Sequence, residues 1–140
     1  MENIKFRVWD RSRKVMYKDI SLDRAYLQKD VYGDMFVLIF LKIYNNANNK
    51  FERIEVSNFE ILLWTGKKDR NGNEIYEGDI VKHKSGAIGE VVWDSRRVGF
   101  YIHKLVKTEE PFEFYLNGEP NFEWEDLEVV GNIYEIAQGR

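Results

Sequence analysis

Residues 64–81 read WTGKKDRNGNEIYEGDIV, and almost every one of them instructs the backbone rather than a reaction. Asn71-Gly72 is a pair that supplies the positive φ angles of a tight two-residue turn, and Gly78-Asp79 punctuates the chain just before the apolar pair Ile80-Val81. Two turns and the start of a strand are therefore expected here. Asp69, Asn71 and Asn73 alternate like the first three ligands of a calcium loop. The likeness ends there, because the sixth and twelfth places, which need Gly and a bidentate Glu, hold Glu74 and Ile80.

The rest of the chain reads mainly as short strands. Ile4, Phe6 and Val8 alternate with Lys5, Arg7 and Trp9, the period of a half-buried strand, and the polar loop Asp10 to Lys14 leads to Val15, Met16 and Tyr17 as its hairpin partner. Leu22, Ala25 and Tyr26 are spaced for a short helix within Ser21 to Lys29. Met35 to Leu41 reads as a buried strand, and Phe36 to Tyr44, the turn Asn45 to Lys50 and Phe51 to Val56 form a second hairpin. Ser57 with Glu60 fits a capping box, so Phe59 to Trp64 can open as a helical turn or run extended. Ile80 to Lys84, Ile88 to Asp94 and Val98 to Lys104 form a meander. Gly89 and Gly99 mark bulges or bends, and Phe112 to Leu116 and Phe122 to Trp124 form a hairpin around Asn117-Gly118. Leu127 to Val130 with Ile133 and Tyr134 closes the chain. The fold class is mainly β with minor α: a small SH3-like roll or barrel in the C-terminal half and an N-terminal β-rich layer with a short helix. One domain spans 1–140, with possible subdomains at 1–60 and 61–140.

Composition narrows the chemistry. At 140 residues with 44% hydrophobic and 32% charged side chains the chain is globular, and without cysteine it has no disulfide, thiolate nucleophile or Cys-ligated metal. No apolar run approaches the roughly 18 residues of a membrane span, and the start MENIKFRVWD lacks a signal-peptide core. A cytoplasmic protein that does not enter membranes is expected. The net charge of −3 is uneven: residues 1–60 and 61–106 each carry +2, and residues 107–140 carry −7. Broad nucleic-acid binding is disfavoured by this balance, and a local patch is not.

No cofactor or metal motif is present. His83 and His103 sit on expected strands without a third ligand, and the acidic cluster Glu123, Glu125, Asp126 and Glu128 reads as a solvated face. Three basic groups fall in turns: Arg11, Arg13 and Lys14; Lys67, Lys68 and Arg70; and Arg96 with Arg97. Beside Trp9, Trp93 and Tyr101 they are the candidates for partner or single-strand nucleic-acid contact, against the alternative that the tryptophans are core.

Three stretches carry a resemblance to a known family. They are Ile4 to Asp10 with Met16; Thr65-Gly66, Lys68-Asp69, Asn71-Gly72 and Glu74 to Val81; and Val130-Gly131-Asn132-Ile133-Tyr134-Glu135. With Val92-Trp93-Asp94 and Gly99-Phe100 they resemble the YopX family of phage and prophage proteins over essentially the whole chain. Trp64 replaces a common Tyr and Lys67 a common Leu. The resemblance implies a phage or prophage origin, a bacterial cytoplasmic setting and an SH3-like roll, with Gly66, Asn71, Gly72, Tyr76, Glu77, Gly78, Asp79, Gly131 and Asn132 as structural motif residues. It transfers no catalytic residue. The expected function is a non-enzymatic protein-interaction module acting as a homo-oligomer with an unknown host or phage protein. The alternatives are a small-barrel nucleic-acid binder and an enzyme assembled from scattered carboxylates and the two histidines.

Overall fold

Phe6 and Val8 are buried while Lys5 and Arg7 are only half-buried, and this alternation sets β1 (Lys5–Asp10), paired antiparallel with β2 (Val15–Ser21). The computed structural model describes residues 4–33, 35–96, 98–104, 114–115 and 123–136, predominantly as β strands. The chain divides into two compact units, Met1–Leu62 and Leu63–Arg140. No helix among the described residues is long and apolar enough to cross a membrane.

In the first unit, β3 (Ala25–Lys29), β4 (Phe36–Asn45) and β5 (Lys50–Val56) form a three-stranded antiparallel sheet with β4 in the middle. Ile39, Leu41 and Val56 from this sheet pack with Phe6, Val8 and Ile20 in one apolar core, joined by the half-buried Ala25, Leu27, Ile43 and Ile54. The expected helix over Ser21 to Lys29 is not formed. Only Leu22–Arg24 makes a single 3-10 turn, and Ala25–Lys29 is strand. The reason lies in pairing: Ala25 and Leu27 find Leu41 and Ile39 across the ladder, and Ser21 Oγ donates to the Asp23 carboxylate rather than capping a helical N–H. Met35 to Leu41 is likewise not buried throughout. Ile39 and Leu41 are fully buried, whereas Met35 and Val37 are exposed.

β6 (Phe59–Lys68) is extended from its first residue, so the capping-box alternative is not used, and along it the chain passes from the first unit to the second. In the second unit β7 (Glu74–Tyr76) pairs with the end of β6. β8 (Asp79–His83), β9 (Ile88–Asp94) and β10 (Gly99–Lys104) form the meander. β11 (Phe114–Tyr115) and β12 (Leu127–Asn132) complete an open, curled sheet in the order β11-β10-β9-β8-β12. One turn of helix, α1 (Ile133–Ile136), follows. Ile75, Val81, Val91, Ile102, Trp124 and Leu127 make its core. The β8–β9 and β9–β10 registers run unbroken through Gly89 and Gly99, so neither glycine marks a bulge; the register shift lies instead between Val129 and Gly131 on β12. Of the hairpin expected around Asn117-Gly118, the turn lies outside the described residues, Phe114–Tyr115 pairs with β10, and Trp124 opens a 3-10 turn over Trp124–Asp126 instead of ending a strand.

Buried aspartates organise the turns. Asp69 Oδ1 accepts the N–H groups of Asn71 and Asn73 at 2.9 and 2.8 Å, and its Oδ2 accepts Val129 N–H of β12 at 2.9 Å. Arg70 N–H donates to Leu127 O at 2.9 Å, so this loop is stitched to β12. Only Gly72, not Asn71, takes a positive φ, because the carboxylate rather than a two-residue turn closes the loop. Asp79 is fully buried and accepts Tyr76 N–H at 2.8 Å and the Asn132 amide at 3.1 Å. Gly78, at φ +85°, donates its N–H to Val91 O and accepts Ile133 N–H. A Cβ added there would sit 3.2 Å from the Tyr134 ring and 3.3 Å from the Asn132 amide.

Gly78→Ala therefore adds a close contact to the roughly 1–2 kcal/mol penalty of the left-handed backbone, whereas Gly72→Ala, with nothing within 4 Å, carries the backbone penalty alone. Thermal unfolding should show the larger fall in Tm for Gly78→Ala; equal falls would contradict the contact. Asp69 adds a pH dependence. Burial opposes its ionisation, and the N–H bonds from Val129, Asn73 and Asn71 outweigh that and hold the carboxyl below its usual range. Its contribution is complete above the unfolded-state pKa of about 3.9 and is lost as pH falls through the lower folded value. Urea unfolding from pH 7 down to pH 3 should show a shallower acid decline in Asp69→Asn than in the parent chain, and parallel declines would refute the assignment.

Candidate functional site

Three of the expected turn cations, Arg11, Arg13 and Arg70, are absorbed into structure. Arg11 bridges Glu60 and donates to Asn58 Oδ1 at 2.9 Å and Phe59 O at 2.8 Å. Arg13 pairs with buried Asp10 at 2.9 Å and reaches Glu55 O at 3.0 Å, and its guanidinium is held more basic than usual by that Asp10 bond. Arg70 pairs with Glu128 at 2.9 Å, which places one carboxylate of the acidic cluster in an ion pair, and Lys84 reaches Asp126 at 3.4 Å. Lys67, Lys68 and Arg96 remain exposed, and Arg97 lies outside the described residues. Among the tryptophans, Trp9 and Trp124 are core, and Trp93 is 39% exposed with its ring edge-on to Phe100 at 5.1 Å. No hydrogen bond, ion pair or ring contact among the described residues joins Trp93 or Arg96 to Lys67, Lys68 or Arg70.

The two histidines do not converge. Ile80, Glu90 and His103 lie opposite one another across β8, β9 and β10 and so share one face of the sheet. His83, three residues beyond Ile80 on β8, belongs to the other face. Its Nδ1 is within 2.9 Å of Ser85 Oγ. Burial pushes the Glu90 carboxyl up, with His103 opposing the shift and Glu77 adding to it. No group of three His, Asp or Glu that could hold a metal occurs among the described residues.

The arrangement with most binding character is one the turns did not announce. Along β4 the residues pointing away from the apolar core include Leu38, Phe40, Lys42 and Tyr44, and the ladder sets Tyr26 and Glu55 on either side of Phe40, Arg53 opposite Lys42 and Phe51 opposite Tyr44. Two aromatic pairs thus flank a row of cations, with Arg24 at the β3 end of that row. Tyr26 and Phe40 have ring centroids 6.1 Å apart, and Tyr44 and Phe51 meet edge-to-face at 5.2 Å. The cations lie against the rings: Arg53 is 4.1 Å from the Phe40 centroid, and Arg24 and Lys42 stand 5.0 and 4.9 Å from that of Phe51. Tyr26 is 65% exposed, and Tyr44 and Phe51 are each 43% exposed. A cleft of about 340 Å³ opens among these residues, with Asp23 and Glu52 also on its wall. The Ser21 hydroxyl holds the Asp23 carboxyl below its usual range, and the amides of Asn45 and Asn48 donate to Glu52 at 2.8 and 3.2 Å. The signal was present in sequence as Phe40-x-Lys42-x-Tyr44 and Phe51-x-Arg53. It is visible only when alternation is used to ask what faces outward.

No curated protein matches this chain. Among solved structures, the chain is similar to protein EF1440 from Enterococcus faecalis, with 20% identity over 96% of both chains and a TM-score of 0.52, a likeness of fold alone. The sequence profile of the YopX protein family matches residues 5–138, from the first residue of β1 to just beyond α1. By that match over nearly its whole length, the chain belongs to the YopX family.

Proposed function

We propose that this YopX-family protein is a non-enzymatic interaction module, phage- or prophage-encoded and working in the bacterial cytoplasm, whose partner docks on the outer face of the β3–β4–β5 sheet. One observation carries the reading. Three aromatic side chains that ordinary folding would bury, Tyr26, Tyr44 and Phe51, stand 43% to 65% exposed on one face, with Arg24 and Lys42 propped against Phe51 and Arg53 against the neighbouring Phe40. Aromatic and Arg side chains are the types that dominate binding energy at interfaces. The curled sheet of the second unit, held by its turn aspartates, is read as an SH3-like roll. The separation of His83 and His103 onto opposite faces counts against an enzyme built on that pair.

The module is further read as a homo-oligomer, which light scattering tests directly: a mass equal to a single 16.7 kDa chain would remove that part. The docking face is tested by affinity capture from induced host cells, comparing the parent chain, Tyr26→Ser with Phe51→Ser, and Trp93→Ser with Arg96→Ser. The expected result is a partner lost by the first variant and kept by the second, with Tm nearly unchanged in both. Equal recovery by all three would overturn the assignment of this face.

A further inference from the structure

The same outer face has an internal order that selects among partners. Its rows run aromatic, cationic, aromatic: Tyr26 with Phe40, then Arg24, Lys42 and Arg53, then Phe51 with Tyr44. Phe40 and Tyr44 are four residues apart on one strand, so the aromatic rows are about 13 Å apart at roughly 3.4 Å per residue. That span corresponds to about four stacked nucleotide steps of roughly 3.4 Å. We propose that this face binds single-stranded nucleic acid, with bases stacking on the two aromatic rows and on the guanidinium planes, and with the intervening phosphates over Arg24, Lys42 and Arg53. This rests on the docking face identified above and names its ligand.

Two features favour this ligand. A guanidinium lying on a ring still presents its outer plane to a base and its edge N–H groups to phosphate oxygens. Among the described residues no ion pair occupies Arg24, Lys42 or Arg53, whereas Arg11, Arg13 and Arg70 are each bridged. Of the carboxylates at this face, Asp23 accepts the Ser21 hydroxyl and also attracts Arg24 and Lys42, Glu52 accepts the Asn45 and Asn48 amides, and exposed Glu55 lies opposite Phe40. The acidic net charge of the chain is compatible with such a site, because three phosphate contacts form a local patch and not a broad basic face.

The size of the patch fixes the salt dependence. Three neutralised phosphates on a single strand give a slope of about −2 in log K against log salt, so affinity should fall about 16-fold between about 50 and 200 mM salt. The probes are fluorescent dT and U oligonucleotides of about 12 nucleotides, followed by anisotropy with the full chain, and a duplex of mixed sequence for comparison. Binding to either single strand with that slope and weaker binding to duplex is expected. Phe51→Ser should weaken it by about tenfold or more through lost stacking. Lys42→Gln with Arg53→Gln, which keeps side-chain bulk and fold, should reduce the slope to about one third.

Absence of binding to both single strands at about 50 mM salt would overturn the proposal, as would binding unchanged in both variants or equal affinity for polyglutamate. A protein captured through Tyr26 and Phe51 with no oligonucleotide binding would overturn this ligand while leaving the docking face intact. Failure of both would remove the face itself.

Discussion

A carboxylate taken out of water has to find donors, and in this chain that constraint decides how the turns are built. Asp10, Asp69 and Asp79 are all nearly or fully buried. Each answers the constraint by accepting main-chain N–H groups from its own turn: Ser12 and Arg13 for Asp10, Asn71 and Asn73 for Asp69, Tyr76 for Asp79. Each then spends its second oxygen on a further tie. Asp10 takes the Arg13 guanidinium, Asp69 takes Val129 N–H and Asp79 takes the Asn132 amide. A buried anion without these donors would be costly, so the turns and their ties stand or fall together. In the second unit the result is a set of loops fixed to β12, the strand that borders β8.

That constraint explains why residues 64–81 are rich in instruction and poor in chemistry. Its buried polar side chains are consumed internally, Thr65 on Ile75 O, Asp69 on three N–H groups and Asp79 on two donors, while Lys67 and Lys68 stay exposed. The β3–β4–β5 outer face obeys the opposite logic. Its cations rest on the Phe40 and Phe51 rings by cation–π contact, an arrangement that holds long side chains in place without using up their hydrogen-bond donors. Ordering of Arg and Lys is thereby partly accomplished before any ligand arrives, which lowers the entropy lost on binding.

Strands were legible wherever one face is buried, because the alternation of Phe6 and Val8, or of Val91 with its neighbours, is local information. The spacing of Leu22, Ala25 and Tyr26 fits a helix equally well, and only β4, which supplies Leu41 and Ile39 as partners, decides for a strand. Asn71-Gly72 misled for the same reason: the group that closes its turn also reaches Val129, 60 residues away. Membership of the YopX family was legible from short motifs, since these are the turn residues that the buried aspartates require. The candidate face was not, because cations were sought in turns. Three of those turn cations, Arg11, Arg13 and Arg70, are ion-paired, whereas Lys42 and Arg53, which form no ion pair among the described residues, lie mid-strand beside aromatics.

The central claim is a division of labour: residues 64–81 hold the fold, and the β3–β4–β5 face meets the ligand. The most direct measurement is a titration of the isotopically labelled full chain with unlabelled single-stranded oligonucleotide, followed by amide and side-chain NMR shifts. Shifts centred on Tyr26, Phe40, Lys42, Phe51 and Arg53, with Gly66 to Val81 unmoved, are the predicted result. Shifts centred on Lys67, Lys68 and Arg70 or on Trp93 and Arg96 would contradict it.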